Sequence, residues 1–115
     1  MPRINALKQN HEFHRVYARG KSAAGPELVT YALKSRRRGS GCRVGITTSK
    51  KIGGAVERNR CRRIIRAAYD SLCADVSGDW DIVFVARHKT TILKTPAVAN
   101  AMSKQLTLLG VIRKT

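Results

Sequence analysis

Seven positively charged side chains fall between Lys50 and Arg66: Lys50, Lys51, Arg58, Arg60, Arg62, Arg63 and Arg66, against one acid, Glu57. Guanidinium and ammonium groups at this density suit the binding of phosphate oxygens, which they meet through charge-assisted hydrogen bonds. The charges do not form a featureless run. At roughly 100° per residue, Arg58, Arg62 and Arg66 climb one flank of a helix, with Arg63 and Arg60 further round. Cys61, Ile64, Ile65, Ala68 and Leu72 occupy the remaining arc. A helix divided in this way can anchor its apolar side and present arginines on the other. Gly53 and Gly54 precede it, permit backbone geometries that other residues resist, and let a phosphate approach the chain closely. The competing reading of such a face is a solvated helix surface.

Other residues could in principle react. Asp79 and Asp81 are closely spaced carboxylates that could share a face of an extended segment and hold a metal for phosphoryl chemistry. Trp80 lies between them and no third acid is near, so a turn followed by a strand start explains them better. His11 and His14 lie three apart on a predicted helix, where a metal pair or general base is conceivable. Solvated helix residues account for them better. Cys42, Cys61 and Cys73 are odd in number and widely spaced, without a CxxC pair. That argues against a disulfide framework or a zinc site and for free thiols in a reducing compartment. No nucleophile–histidine–acid constellation is visible, so neither a catalytic residue nor a metal ligand is assigned.

The elements that position the cations follow from periodicity and punctuation. Residues 1–9 are polar and basic and read as a flexible arm. Asn10 can cap a short helix that Gly20 ends. Phe13, Val16 and Tyr17 form its apolar stripe. Leu28 to Leu33 reads as a strand covered on both faces, Ser35 to Gly41 as a turn carrying the arginine triplet 36–38, and Arg43 to Thr48 as a second strand, the two making a hairpin. The basic helix runs from about Ala55 to Cys73. Asp81 to Ala86 is a nearly continuous apolar run, the mark of a buried central strand. Pro96 opens a last helix striped by Val98, Met102, Leu106 and Leu109. The order helix, two or three strands, helix, strand, helix predicts a single-domain α+β sandwich over residues 1–115, with helices against a sheet.

Composition bounds the partner. Of 115 residues, 43% are hydrophobic, enough for a folded core, and 23 Lys plus Arg against 7 Asp plus Glu leave a net charge of +16. So large a charge calls for a compensating polyanion, nucleic acid first and an anionic membrane second. No apolar stretch approaches the ~20 residues that span a bilayer. No signal-peptide core follows Met1, and the expected compartment is the cytoplasm.

Arg43-Val44-Gly45-Ile46, Ser49-Lys50-Lys51-Ile52-Gly53, Ala55-Val56, Arg58-Asn59-Arg60, Arg62-Arg63 and Arg66 together resemble the protein subunit of bacterial ribonuclease P. Phe13, Tyr17, Gly20, Tyr31 and the strand from Asp81 to Arg87 fall in that family's order, and the resemblance spans most of residues 5–109. It implies a ribosomal protein S5 domain 2-like fold with a left-handed βαβ crossover, against the usual handedness. It implies a protein that joins a catalytic RNA, one to one, in removing the 5′ leader from precursor tRNA, with magnesium bound by the RNA and the chemistry carried there. Lys50, Lys51, Arg58, Asn59, Arg60, Arg62, Arg63 and Arg66 would contact RNA phosphates. Phe13, Tyr17 and Tyr31 would line a cleft for the leader, where aromatic faces stack unpaired bases without reading their sequence. Three positions depart from the family pattern: Arg62 stands where lysine is common, Ala67 where an acid is, and Tyr17 where phenylalanine is. A structural ribosomal protein with no leader cleft is the alternative that equal basicity allows.

Overall fold

The structure, a computed structural model, describes residues 5–35 and 41–112. Strands β1 (Asn5–Ala6), β2 (Lys21–Ala24), β3 (Leu28–Lys34), β4 (Arg43–Thr47) and β5 (Trp80–Ala86) form a five-stranded sheet among the described residues, in the order β1–β4–β5–β3–β2. Helix α1 (Asn10–Arg19) follows β1, α2 (Ala55–Leu72) joins β4 to β5, and α3 (Thr95–Leu108) closes the described chain. Short 3₁₀ turns lie at Lys50–Ile52, Cys73–Asp75 and His88–Thr91.

The apolar run read as a central strand is β5, and its position explains the largest departure from expectation. The predicted hairpin between residues 28–33 and 43–48 does not form, because β5 lies between the two strands. It pairs antiparallel with β3, Leu28 opposite Ala86, and parallel with β4, Arg43 opposite Asp81. Ile82, Val83 and Phe84 are buried on both faces of the sheet, and such a strand needs a neighbour on each side. The α2 crossover makes the parallel pairing with β4 possible. The hairpin partner of β3 is instead β2, across Gly25, Pro26 and Glu27. Residues 5–9 are not a loose arm: Asn5 and Ala6 pair parallel with Arg43 and Val44, and Leu7 is buried. Asn10 begins α1 from inside, with Gln9 in the cap position. The arginine triplet 36–38 lies outside the described residues.

The two faces of the sheet are covered differently. On one, Leu28, Ala32, Val44, Ile82 and Phe84 meet Cys61, Ile64, Ile65 and Ala68 of α2 and Val98, Met102 and Leu106 of α3. Thr30, buried in this layer, donates to Gln105 Oε1 at 2.6 Å, and Gln105 Nε2 donates to the Leu28 carbonyl at 2.8 Å. This pins α3 to β3 without leaving a buried polar group unpaired. On the other face, α1 buries Val16 against Val83 and Leu7, with Phe13, Tyr31, Leu33 and Val85 partly covered around them.

Candidate nucleic-acid interface

Helix α1 is fastened at its start by one carboxylate. Glu12 Oε1 accepts the backbone N–H groups of Lys8 and Gln9 at 3.1 and 3.0 Å, and Oε2 accepts from Arg43 NH1. The same guanidinium turns its Nε and NH2 to the two oxygens of Asp81, both at 2.9 Å. Arg43 thus ties α1 to the sheet through a bidentate pair with a buried acid. The two backbone N–H groups, then Arg43, hold the Glu12 carboxyl below its usual range. The hydrogen bonds to Asp81 and the neighbouring acids hold the Arg43 guanidinium above its own.

Above this clamp, α1 turns its aromatic residues towards the sheet. Phe13 lies over Gly45 so closely that a β-carbon at Gly45 would stand 2.3 Å from Cε1 of the ring. Tyr17, 37% exposed, shares a 2.7 Å hydrogen bond between its hydroxyl and Thr47 Oγ1. Its ring meets Tyr31 edge to face, with centroids 4.9 Å apart. The structure therefore brings Phe13, Tyr17 and Tyr31 to one side of the sheet, partly open to solvent.

Lys50 and Lys51 are exposed on a 3₁₀ turn that packs against α2. Gly53, at φ 146°, takes the chain from that turn into the helix in a conformation that L residues rarely adopt. Along α2, Asn59, Arg60, Arg62, Arg63 and Arg66 are exposed and Arg58 is half-buried. Two of these arginines are pre-set. Arg60 Nε donates to the Thr91 carbonyl at 3.1 Å, and Arg62 Nε donates to Thr48 Oγ1 at 3.1 Å. Each bond uses one of five guanidinium donors and leaves the terminal fork for a phosphate.

The aromatic and basic sides meet at the edge of β4. β1 pairs with Arg43 and Val44, so the strand beyond Val44 borders a groove of about 330 Å³. Phe13 and Lys8 line it from one side, Gly45 and Ile46 from the floor, and Arg62 and Arg66 from the other. Asn59, Arg62, Arg63 and Arg66 border a shallower depression with Val56. Of the expected site residues, Tyr17, Tyr31, Lys50, Lys51, Arg58 and Arg60 do not line the groove. Arg60 points instead towards the 3₁₀ turn at His88–Thr91, which packs against the turn carrying Lys50 and Lys51. Arg87, His88 and Lys89 are exposed there and join the basic surface. The sequence reading did not select them, although three consecutive basic or imidazole residues directly after a strand were a usable signal.

The two carboxylate candidates have structural roles. Asp81 is the buried partner of Arg43, and Asp79 Oδ1 accepts the Gly41 N–H at 2.7 Å. Among the described residues, no group of three or more His, Cys, Asp or Glu is placed to hold a metal ion. Cys42, Cys61 and Cys73 are free thiols, and burial raises the first two above the ordinary cysteine range. Burial likewise raises the Tyr69 phenol, beneath the groove.

Residues 1–110 match the family described as Ribonuclease P. A ribonuclease P protein component from Clostridium novyi is 41% identical over 90 residues, covering 78% of this chain and 80% of that one. One from Brevibacillus brevis is 35% identical over 114 residues, covering 99% and 90%. Among solved structures, the RNase P protein of Staphylococcus aureus superposes with a TM-score of 0.82 at 28% identity, over 96% of this chain and all of that one. The RNase P protein of Thermotoga maritima shares the fold, with a TM-score of 0.76 at 24% identity over 96% and 99%.

Proposed function

This chain belongs to the ribonuclease P protein family, and we propose that its two surfaces divide the family's task between them. It is the RNA-binding protein component of a ribonucleoprotein endoribonuclease that matures the 5′ end of tRNA, with the RNA subunit and precursor tRNA as partners. In the division proposed, the aromatic side of α1 receives the leader. Lys50, Lys51, Arg58, Asn59, Arg60, Arg62, Arg63 and Arg66 hold RNA phosphates. The RNA carries the hydrolysis with its own magnesium, and one protein joins one RNA. Among the described residues no helix is long and apolar enough to cross a membrane. Three free thiols favour a reducing compartment, and we place the protein in the cytoplasm.

The observation that carries this reading is the groove at the β4 edge. It puts Phe13 opposite Arg62 and Arg66, a stacking face opposite phosphate donors, as binding of a single strand requires. A leader differs from one tRNA to the next, and neither stacking nor phosphate contact reads its sequence.

The test is cleavage of 5′-extended precursor tRNA at low magnesium by a bacterial ribonuclease P RNA, with and without this protein. Stimulation should fade as the leader is shortened. Phe13→Ala and Tyr17→Ala should each weaken precursor binding by about 1–3 kcal/mol and leave mature tRNA almost unaffected. Neutralising Arg60 or Arg62 should lower affinity and reduce the salt slope by about one ion per lost phosphate contact. Stimulation independent of leader length would favour a purely structural RNA-binding role.

A further inference from the structure

The side of α1 turned away from the sheet is unused by everything above. His11, His14, Arg15, Ala18 and Arg19 line a shallow depression there of about 510 Å³. Two arginines and two imidazoles share it with no carboxylate. The one acid of α1, Glu12, is turned to the helix start and to Arg43. Lys21 is exposed just beyond the helix end. A basic face free of acids on a helix pinned by buried Val16 and by the Arg43 clamp is a fixed surface that complements a polyanion.

Its place on the helix says which polyanion. At about 100° per residue, His14 follows the partly exposed Tyr17 round the helix by roughly 60°, and His11 and Arg15 come next. The helix is about 10 Å across. An unpaired strand leaving the cleft past Tyr17 therefore reaches the outer face within a few nucleotides. We infer that the outer face of α1, through Arg15 and Arg19 with His11 and His14 beside them, is a second phosphate-binding surface. It takes leader nucleotides upstream of those held in the cleft. This rests on the leader-cleft reading given above.

The experiment measures binding of precursor tRNAs, with leaders lengthened one nucleotide at a time, to the reconstituted holoenzyme. It compares the original protein, the double variant Arg15→Gln/Arg19→Gln and the double variant His11→Gln/His14→Gln. Glutamine keeps helix propensity close to that of arginine, and circular dichroism checks that the helix persists. The original protein should gain affinity with leader length to a plateau. The arginine variant should reach its plateau at a shorter leader, roughly three- to tenfold weaker. Its salt slope on long leaders should be smaller by about 1.4, the share of two single-strand phosphate contacts. The histidine variant should show a smaller loss of the same kind. Variants that track the original protein at every length would overturn the inference and leave the cleft intact. Equal losses for mature tRNA would overturn it by placing this face on another RNA segment. An original protein indifferent to leader length would remove the cleft reading and the inference together.

Discussion

The two faces of the sheet are held by different physics. α2 and α3 cover one face with an apolar layer in which Phe84, Ile65, Met102 and Leu106 are fully buried. α1 covers the other with Val16, Leu7 and Val83 and a polar clamp. An apolar seal of the first kind leaves no aromatic face for a ligand. A helix held at its start by Arg43 and Glu12, and thinly packed along its length, leaves Phe13, Tyr17 and Tyr31 half-open. The less sealed side is therefore the one we propose for unpaired bases. The basic surface belongs on α2, where deep packing of one helix face fixes the arginines on the other.

The comparison breaks most readily at Arg43. Arg43→Ala leaves Asp81, 3% exposed, as a buried acid without its bidentate partner. We expect a loss of about 3–5 kcal/mol in unfolding free energy by denaturant titration. A loss below about 1 kcal/mol, the range of an exposed ion pair, would show that apolar packing alone holds α1.

Gly45 tests the aromatic side without touching charge. In Gly45→Ala the new methyl would stand 2.3 and 2.6 Å from two carbons of the Phe13 ring, so the ring must move. Overpacking of this kind should cost about 1–3 kcal/mol of stability. Precursor binding should weaken and mature tRNA binding hold. Equal weakening of both would mean that Phe13 packs the helix and does not serve the leader.

These two residues mark where sequence reading ended. The division of α2 into apolar and basic arcs was legible because 3.6-residue periodicity is local, and Ile64, Ile65 and Ala68 are buried as it requires. Asp81 to Ala86 was legible as a central strand from its unbroken apolar run. β2 reads Lys-Ser-Ala-Ala and is a strand because β3 offers it an edge, which no local pattern announces. The hairpin expected between β3 and β4 was a sound local inference overruled by β5, whose burial on both faces demanded two neighbours. The aromatic stripe on α1 was visible, yet its floor at Gly45 and its clamp at Arg43 join residues some thirty or more positions apart. Distances of that kind belong to the folded chain.

A smaller effect separates the hydroxyl of Tyr17 from its ring. Tyr17→Phe removes the 2.7 Å bond to Thr47 Oγ1 and keeps the edge contact with Tyr31. The bond lies near solvent, and its loss should cost at most about 1 kcal/mol in thermal or denaturant unfolding. Precursor affinity should change little, since stacking uses the ring. A large fall in affinity would assign the hydroxyl itself to RNA.

The smallest effect is one of pH, and it asks whether the Glu12 tie works by charge. Glu12→Gln keeps an oxygen for the Lys8 and Gln9 N–H groups and loses the ion pair with Arg43. The Glu12 carboxyl is held below its usual range, by those N–H groups first and by Arg43 after them. A lowered pKa contributes stability that is present above the ordinary carboxylate range and lost as pH falls through the lowered value. The stability difference between the original protein and Glu12→Gln should therefore be largest near neutral pH and shrink on acidification. The remaining acids are common to both proteins and largely cancel in the difference. A difference unchanged from neutral to acid pH would make the tie one of shape and hydrogen bonding. α1 would then be fastened as the opposite face is, by fit without charge.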